Sequence, residues 1–160
     1  MAVVFLALGS NVGDSERYIT QAIALLGREI VGLELASTYT SKAVGYTDQP
    51  DFVNTAIRGA TTLKPLELLK FIKEIEAKIG RVSRFRWGPR EIDIDIIFYD
   101  DMTLDTPVLT IPHPRFAERD FVLRPLCDID PDAVDPVSKR SVQQLLEALS
   151  PLELAILKQQ

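Results

Sequence analysis

The chain has 160 residues, 46% hydrophobic and 26% charged, which is the size and composition of one compact domain that buries a core without disulfides. A net charge of −5 speaks against a general nucleic-acid binder, and the single cysteine, Cys127, excludes an intramolecular disulfide. No run of about 18 apolar residues is present to span a membrane, and the N-terminus carries no basic leader, so a cytoplasmic protein is expected.

Residues 3–8 form an apolar run that reads as a buried strand and ends at Gly9. Residues 9–15 are dense in turn formers, and a helix is predicted over 15–28, with Ile19, Ala22, Ile23 and Leu26 at helical spacing. A strand is predicted over 33–40, a long loop over 41–51 and a second strand over 52–62. Pro65 opens a helix that runs to Ile79 and stops at Gly80, with Leu68, Leu69, Ile72, Ile75 and Ile79 as its buried stripe. An arginine-rich loop covers 81–90, and a strand follows over 91–99. Beyond it lies a proline-rich tail with one short helix over 141–149. Strand, helix, strand, strand, helix, strand is the α+β, ferredoxin-like order, an antiparallel sheet with helices on one face. Residues 1–160 are expected to form a single domain with long mobile active-site loops.

The chemistry concentrates after residue 80. Arg81, Arg84, Arg86 and Arg90 fall within ten positions of an acidic chain, a pattern suited to a compact anion such as a phosphate chain. Trp87, the only tryptophan, offers either a stacking face for a heterocycle or a core anchor. In the strand that follows, Ile92, Ile94 and Ile96 share one face and Asp93 and Asp95 the other. The two aspartate Cα atoms then lie roughly 6.5–7 Å apart. Two such carboxylates repel unless a positive charge sits between them, and a hard cation such as Mg²⁺ suits them. The alternative is a half-solvated strand with acidic residues on its wet face; the neighbouring arginines favour the metal. His113, the only histidine, sits between Pro112 and Pro114, where it is either structural or a hydrogen-bond donor to a phosphate.

These pieces resemble the 6-hydroxymethyl-7,8-dihydropterin pyrophosphokinase family of folate biosynthesis. The motifs are Leu8-Gly9-Ser10-Asn11, Asp48-Gln49-Pro50-Asp51-Phe52-Val53-Asn54, Arg86-Trp87-Gly88-Pro89-Arg90, Asp93-Ile94-Asp95-Ile96, Pro112-His113-Pro114 and Arg119-Asp120-Phe121-Val122-Leu123, in order over residues 5–131. The resemblance implies transfer of the β,γ-pyrophosphoryl unit of ATP to the hydroxymethyl group of the dihydropterin, with release of AMP. It implies two Mg²⁺ ions held by Asp93 and Asp95, with Arg81 and Arg90 as further catalytic groups. It places Glu76, Arg84, Trp87, Arg90, Ile96, His113 and Arg119 around ATP, and Ser41, Val44, Gly45, Phe52, Asn54, Trp87 and Phe121 around the pterin. It implies a monomer with no nucleic-acid or membrane partner. Where the family commonly has Gly-Arg-x-Arg, this chain has Ser83 followed by Arg84, so either Arg84 takes over that contact or the contact is lost. Two other classes remain: a non-catalytic nucleotide or pterin sensor, which binds without turnover, and a single-stranded RNA module, whose affinity falls with salt.

Overall fold

A computed structural model describes residues 1–159. Its centre is an antiparallel sheet built from β1 (Ala2–Ser10), β2 (Val31–Leu35), β3 (Tyr39–Ser41), β4 (Phe52–Thr61), β5 (Asp93–Tyr99) and β8 (Ile156–Gln159). The strands run in the order β5-β1-β4-β3-β8, with β2 also on β4. A small hairpin, β6 (Leu104–Asp105) with β7 (Thr110–Ile111), lies apart. The helices are α1 (Ser15–Leu26), α2 (Pro65–Ile79), α3 (Asp120–Ile129) and α4 (Val142–Glu147). None is long and apolar enough to cross a membrane.

Alternation along the strands sorts the core into two layers. Val4, Leu6 and Leu8 of β1, Ile57 of β4, and Ile94 and Ile96 of β5 pack with Ile19, Leu26, Leu68 and Ile72 from α1 and α2. Phe5, Ala7 and Ala56 face the other way and meet Val122, Leu123 and Leu126 of α3 and Val142 and Leu145 of α4. Helices therefore cover both faces, not one. The proline-rich stretch read as a tail contains α3, which carries Pro125 inside it, and the chain then returns as β8 to pair with β3. Neither element announces itself locally: Pro125 hides the helix, and β8 is only four residues long.

The strand predicted over 33–40 is two short strands, β2 and β3, both on β4. Residues 36–38 bulge between the Leu35↔Ile57 and Tyr39↔Asn54 pairs, and Thr55 Oγ1 donates to the carbonyls of Ala36 and Ser37 at 3.3 and 3.2 Å. The strand predicted from 91 begins at Asp93, and the helix predicted over 141–149 spans 142–147. Helix α2 matches its signals: Pro65 in its first turn, and Gly80 in the left-handed conformation (φ 109°) at its C-cap.

Candidate active site

The α3 side of the sheet opens, at the end of β1, into a cavity of about 360 Å³. Register sets its floor. Gly9 pairs with Asp93 on one side and Asn54 on the other, and Ala7 pairs with Asp95 and Ala56. Asp93 and Asp95 point from one strand face into the cavity, as alternation requires, while Ile94 and Ile96 go to the core behind.

At the carboxylate end, Asp93 Oδ1 lies 3.4 Å from Arg90 Nη1 and 3.5 Å from Arg81 Nη1. Asp95 keeps about a third of its side-chain surface open yet sits deep between the cavity walls. Burial, reinforced by the charge of Asp93, pushes its carboxyl up to about 7, against the pull of Arg119 and Lys73. His113 Nε2 stands 3.8 Å from Asp95 Oδ2. Burial and the nearby Arg119 hold this imidazole down at about 4, so it is neutral near pH 7. Its Nδ1 accepts the Arg115 backbone N–H at 3.3 Å, which leaves the ring proton on Nε2, facing Asp95. Burial also lowers the Arg119 guanidinium from its ordinary value, against the pull of Asp95 and Asp93.

The donor set suits a hard divalent cation. Two carboxylates share a face, one of them held together only by a proton or by added positive charge. Among the described residues no third carboxylate, His or Cys joins them in a protein-only cage. Water and phosphate oxygens would have to fill the remaining positions, as Mg²⁺ prefers.

At the opposite end the chemistry is that of an amide. Asn54 and Ser41 are 6% and 1% exposed, and Asn54 Nδ2 donates to Ser41 Oγ at 2.7 Å. This bond fixes the amide's orientation, so that it presents a constant donor–acceptor edge. The rings of Phe52 and Phe121 and the side chain of Val44 line the same end.

The loop between α2 and β5 forms a third wall. Arg84 forks onto Glu91 with two 2.7 Å bonds, and Val82 N–H donates to the same carboxylate at 3.3 Å. The guanidinium holds the Glu91 carboxyl down at about 2, despite its burial. Trp87 adopts φ 66°, a conformation disfavoured for a bulky residue, and its neighbours over-determine it. The Arg115 guanidinium lies 4.7 Å over its ring. Against the ring packs Gly45 (φ 85°), where a Cβ would fall 2.1 Å from Trp87 Cε3. Gln49 Nε2 donates to the carbonyls of Trp87 and Tyr46 at 2.7 and 2.6 Å. Asn11 closes the frame: its amide donates to Gln49 Oε1 and the Pro50 carbonyl, both at 2.9 Å, and accepts Arg90 N–H at 2.8 Å.

Of the residues singled out from sequence, Asp93, Asp95, Arg81, Arg90, Trp87, His113, Arg119, Ser41, Val44, Phe52, Asn54 and Phe121 line this one cavity. Glu76, Arg84, Gly45 and Ile96 do not. Glu76 is a buried brace: it accepts Ile94 N–H at 3.0 Å and pairs with Arg81 at 2.8 Å and Lys73 at 3.2 Å. Ile96 lies in the core behind β5, Gly45 backs Trp87, and Arg84 is occupied by Glu91. The cavity also holds Arg86 of the arginine cluster, together with Lys42 and Lys73, to which the sequence reading gives no role. Lys73 was discoverable, one helical turn before Glu76; Lys42 carries no signal of its own.

The family model described as 7,8-dihydro-6-hydroxymethylpterin-pyrophosphokinase (HPPK) matches residues 5–131. The chain is 46% identical over 145 residues to the 2-amino-4-hydroxy-6-hydroxymethyldihydropteridine pyrophosphokinase of Aquifex aeolicus, covering 90% of each. It is 43% identical over 129 residues to the protein of the same name from Bacillus subtilis, covering 79% of this chain and 77% of that one. The fold is also that of wild-type Plasmodium falciparum HPPK-DHPS, with a TM-score of 0.76 at 16% identity. That match covers 91% of this chain, which spans 44% of the longer one.

Proposed function

Because the chain belongs to the 7,8-dihydro-6-hydroxymethylpterin-pyrophosphokinase family, a family of diphosphotransferases in folate synthesis, we propose that it transfers the β,γ-pyrophosphoryl unit of ATP to 6-hydroxymethyl-7,8-dihydropterin, with Mg²⁺, and releases AMP. The observation that carries this reading is one cavity holding a carboxylate pair at one end and a fixed amide edge between aromatic rings at the other. A polyphosphate needs the first, and a flat heterocycle with alternating donors and acceptors needs the second.

In this reading the hydroxymethyl oxygen forms a bond to the β-phosphorus, the bond from that phosphorus to the α,β-bridging oxygen breaks, and AMP departs with that oxygen. Asp93 and Asp95 would hold two Mg²⁺ ions, which when bound supply positive charge that draws the phosphate oxygens together. Arg81, Arg90 and Arg119 line the cavity at this end and offer guanidinium forks to the same oxygens. His113, neutral with its proton on Nε2, donates a hydrogen bond rather than a charge. Asp95, whose carboxyl burial pushes up to about 7, is assigned the contact to the attacking hydroxyl and accepts its proton as the new bond forms. Asn54 and Ser41 orient the pterin edge-on, with Phe52 and Phe121 on its faces. Catalysis then consists of alignment and charge stabilisation, with no covalent enzyme intermediate. The protein is expected to act as one catalytic domain and as a monomer in the cytoplasm.

The test is the nucleotide product. Incubation with ATP, Mg²⁺ and the hydroxymethyl dihydropterin should give AMP that depends on both the pterin and the metal. ADP, or binding without turnover, would overturn the assignment.

A further inference from the structure

We propose that Asp120 is a positioning residue for the pterin end of the cavity, acting through the C-terminal strand; the inference rests on the function proposed above. Asp120 is the first residue of α3, between Arg119 and Phe121, and is 3% exposed. Its carboxylate makes no ion pair among the described residues. It accepts backbone amides from far along the chain: Ala155 N–H reaches both oxygens at 3.0 Å, and Ile156 N–H reaches Oδ2 at 2.9 Å. A buried carboxylate satisfied only by main-chain donors is a specific clamp, since truncating it leaves those amides in a dry site with no acceptor.

What the clamp holds is one side of the substrate site. Immediately after Asp120, Phe121 enters the cavity. Beyond the clamped amides, the Ala155 carbonyl accepts Lys42 N–H at 3.0 Å, and β8 pairs with β3 so that Ile156 stands opposite Ser41. Ser41 in turn orients Asn54 at 2.7 Å. Asp120 thus lies one residue from Phe121 and three hydrogen bonds from the Asn54 amide: its own with Ala155 N–H, that of Lys42 N–H to the Ala155 carbonyl, and that of Asn54 to Ser41. It ties the ring wall to the polar wall. The carboxylate end is set chiefly by β1, β5 and the arginine loop, with Arg119 the one group it takes from the start of α3. A perturbation at Asp120 should therefore reach the pterin far more than the nucleotide.

The experiment compares the intact protein with Asp120→Ala, Asp120→Asn and a chain stopped after Leu154. Michaelis constants are measured separately for pterin and ATP, and hydrogen exchange at the Lys42 amide is followed without substrate. Asp120→Ala should raise the pterin KM about tenfold, as expected for loss of buried hydrogen bonds, and leave the ATP KM within about twofold. Its Lys42 amide should exchange faster. Asp120→Asn, which keeps an acceptor oxygen, should recover most of the pterin KM. The shortened chain should match Asp120→Ala, and combining the two changes should add nothing further. A general loss of stability would lower Tm without separating the two Michaelis constants. The proposal is overturned if folded Asp120→Ala keeps its pterin KM and Lys42 protection, or if the ATP KM rises in step. Should Asp120→Ala not fold, a shortened chain with unchanged pterin KM overturns it equally. If the intact protein makes no AMP from the pterin, the proposed function fails, whereas the link from Asp120 to Lys42 is still read by exchange.

Discussion

Two walls of the cavity are built by different means. The sheet wall carries Asn54 on β4, which is paired on both sides, and Asp93 and Asp95 on the edge strand β5, laddered to β1, so register fixes where each side chain points. The loop wall, residues 81–92, has no such ladder. Its shape comes from individual clasps: Arg84 on Glu91, Gln49 on the Trp87 carbonyl, Gly45 against the Trp87 ring. A side chain on the sheet can therefore be removed for its chemistry with little structural consequence. In the loop, a residue that never meets a ligand can decide whether the wall stands.

The sharpest way to break the contrast is Asp95→Ala. Pterin-dependent AMP formation should fall about 100-fold or more. Stability should not fall with it. The folded-state carboxyl is raised to about 7, so its ionised form disfavours the fold as pH rises from the ordinary aspartate range through 7. At pH 8 without Mg²⁺ the variant should melt at or above the intact protein, as calorimetry can show. A lowered melting temperature would mean that Asp95 supports the sheet as well as the chemistry.

Next in size is Gly45→Ala, a change of one methyl group outside the cavity lining. The methyl collides with Trp87, and φ 85° is unfavourable for alanine. Activity should drop roughly tenfold, a factor of order expected when a positioning contact about 1 Å out of place is tolerated only in part. Trp87 fluorescence should shift to the red, while global stability changes by only about 1 kcal/mol because the loop can give way. Unchanged fluorescence would show that the loop wall does not depend on this contact.

Ser41→Ala tests the sheet wall at its polar end. It removes the acceptor for Asn54 Nδ2 in a buried setting and should cost about 1–2 kcal/mol of stability in urea unfolding, with a several-fold rise in pterin KM. The smallest effect is expected for Glu91→Gln. Glu91 is held near 2, below its usual value, so its pair with Arg84 stabilises fully above about pH 4.5 and is lost as pH falls through 2. The difference in urea midpoint between the intact protein and the variant should be present at pH 7 and vanish near pH 2. A difference that persisted at pH 2 would place the effect of Glu91 outside its ionisation.

The sheet half of the site was legible in the sequence because it obeys a period. Ile-Asp-Ile-Asp-Ile can be read only one way on a strand, and the structure puts Asp93 and Asp95 where that reading does. The arginine cluster was equally visible, but not the division of labour within it. Nothing local distinguishes Arg84, which turns to Glu91, from Arg81 and Arg90, which turn to Asp93. Such choices depend on which carboxylate the fold brings near. The second helical layer was missed for a related reason. Pro125 masks α3, and β8 acquires meaning only when it meets β3 and the Asp120 carboxylate.

The position of β1 has a consequence for how the molecule assembles. Val4 is bonded laterally to Gly59 and Tyr99, so this strand must wait for two partners that lie much later in the chain. During synthesis an apolar segment, residues 3–8, has no partner until β4 emerges and keeps one edge open until β5 follows, and only then do the carboxylates gain their floor. Such long-range pairing slows folding and leaves a sticky edge open in the interval. The strand that anchors the finished site is thus the nascent chain's most vulnerable segment, and changes that weaken β5 should reduce soluble yield before they touch the turnover of the molecules that do fold.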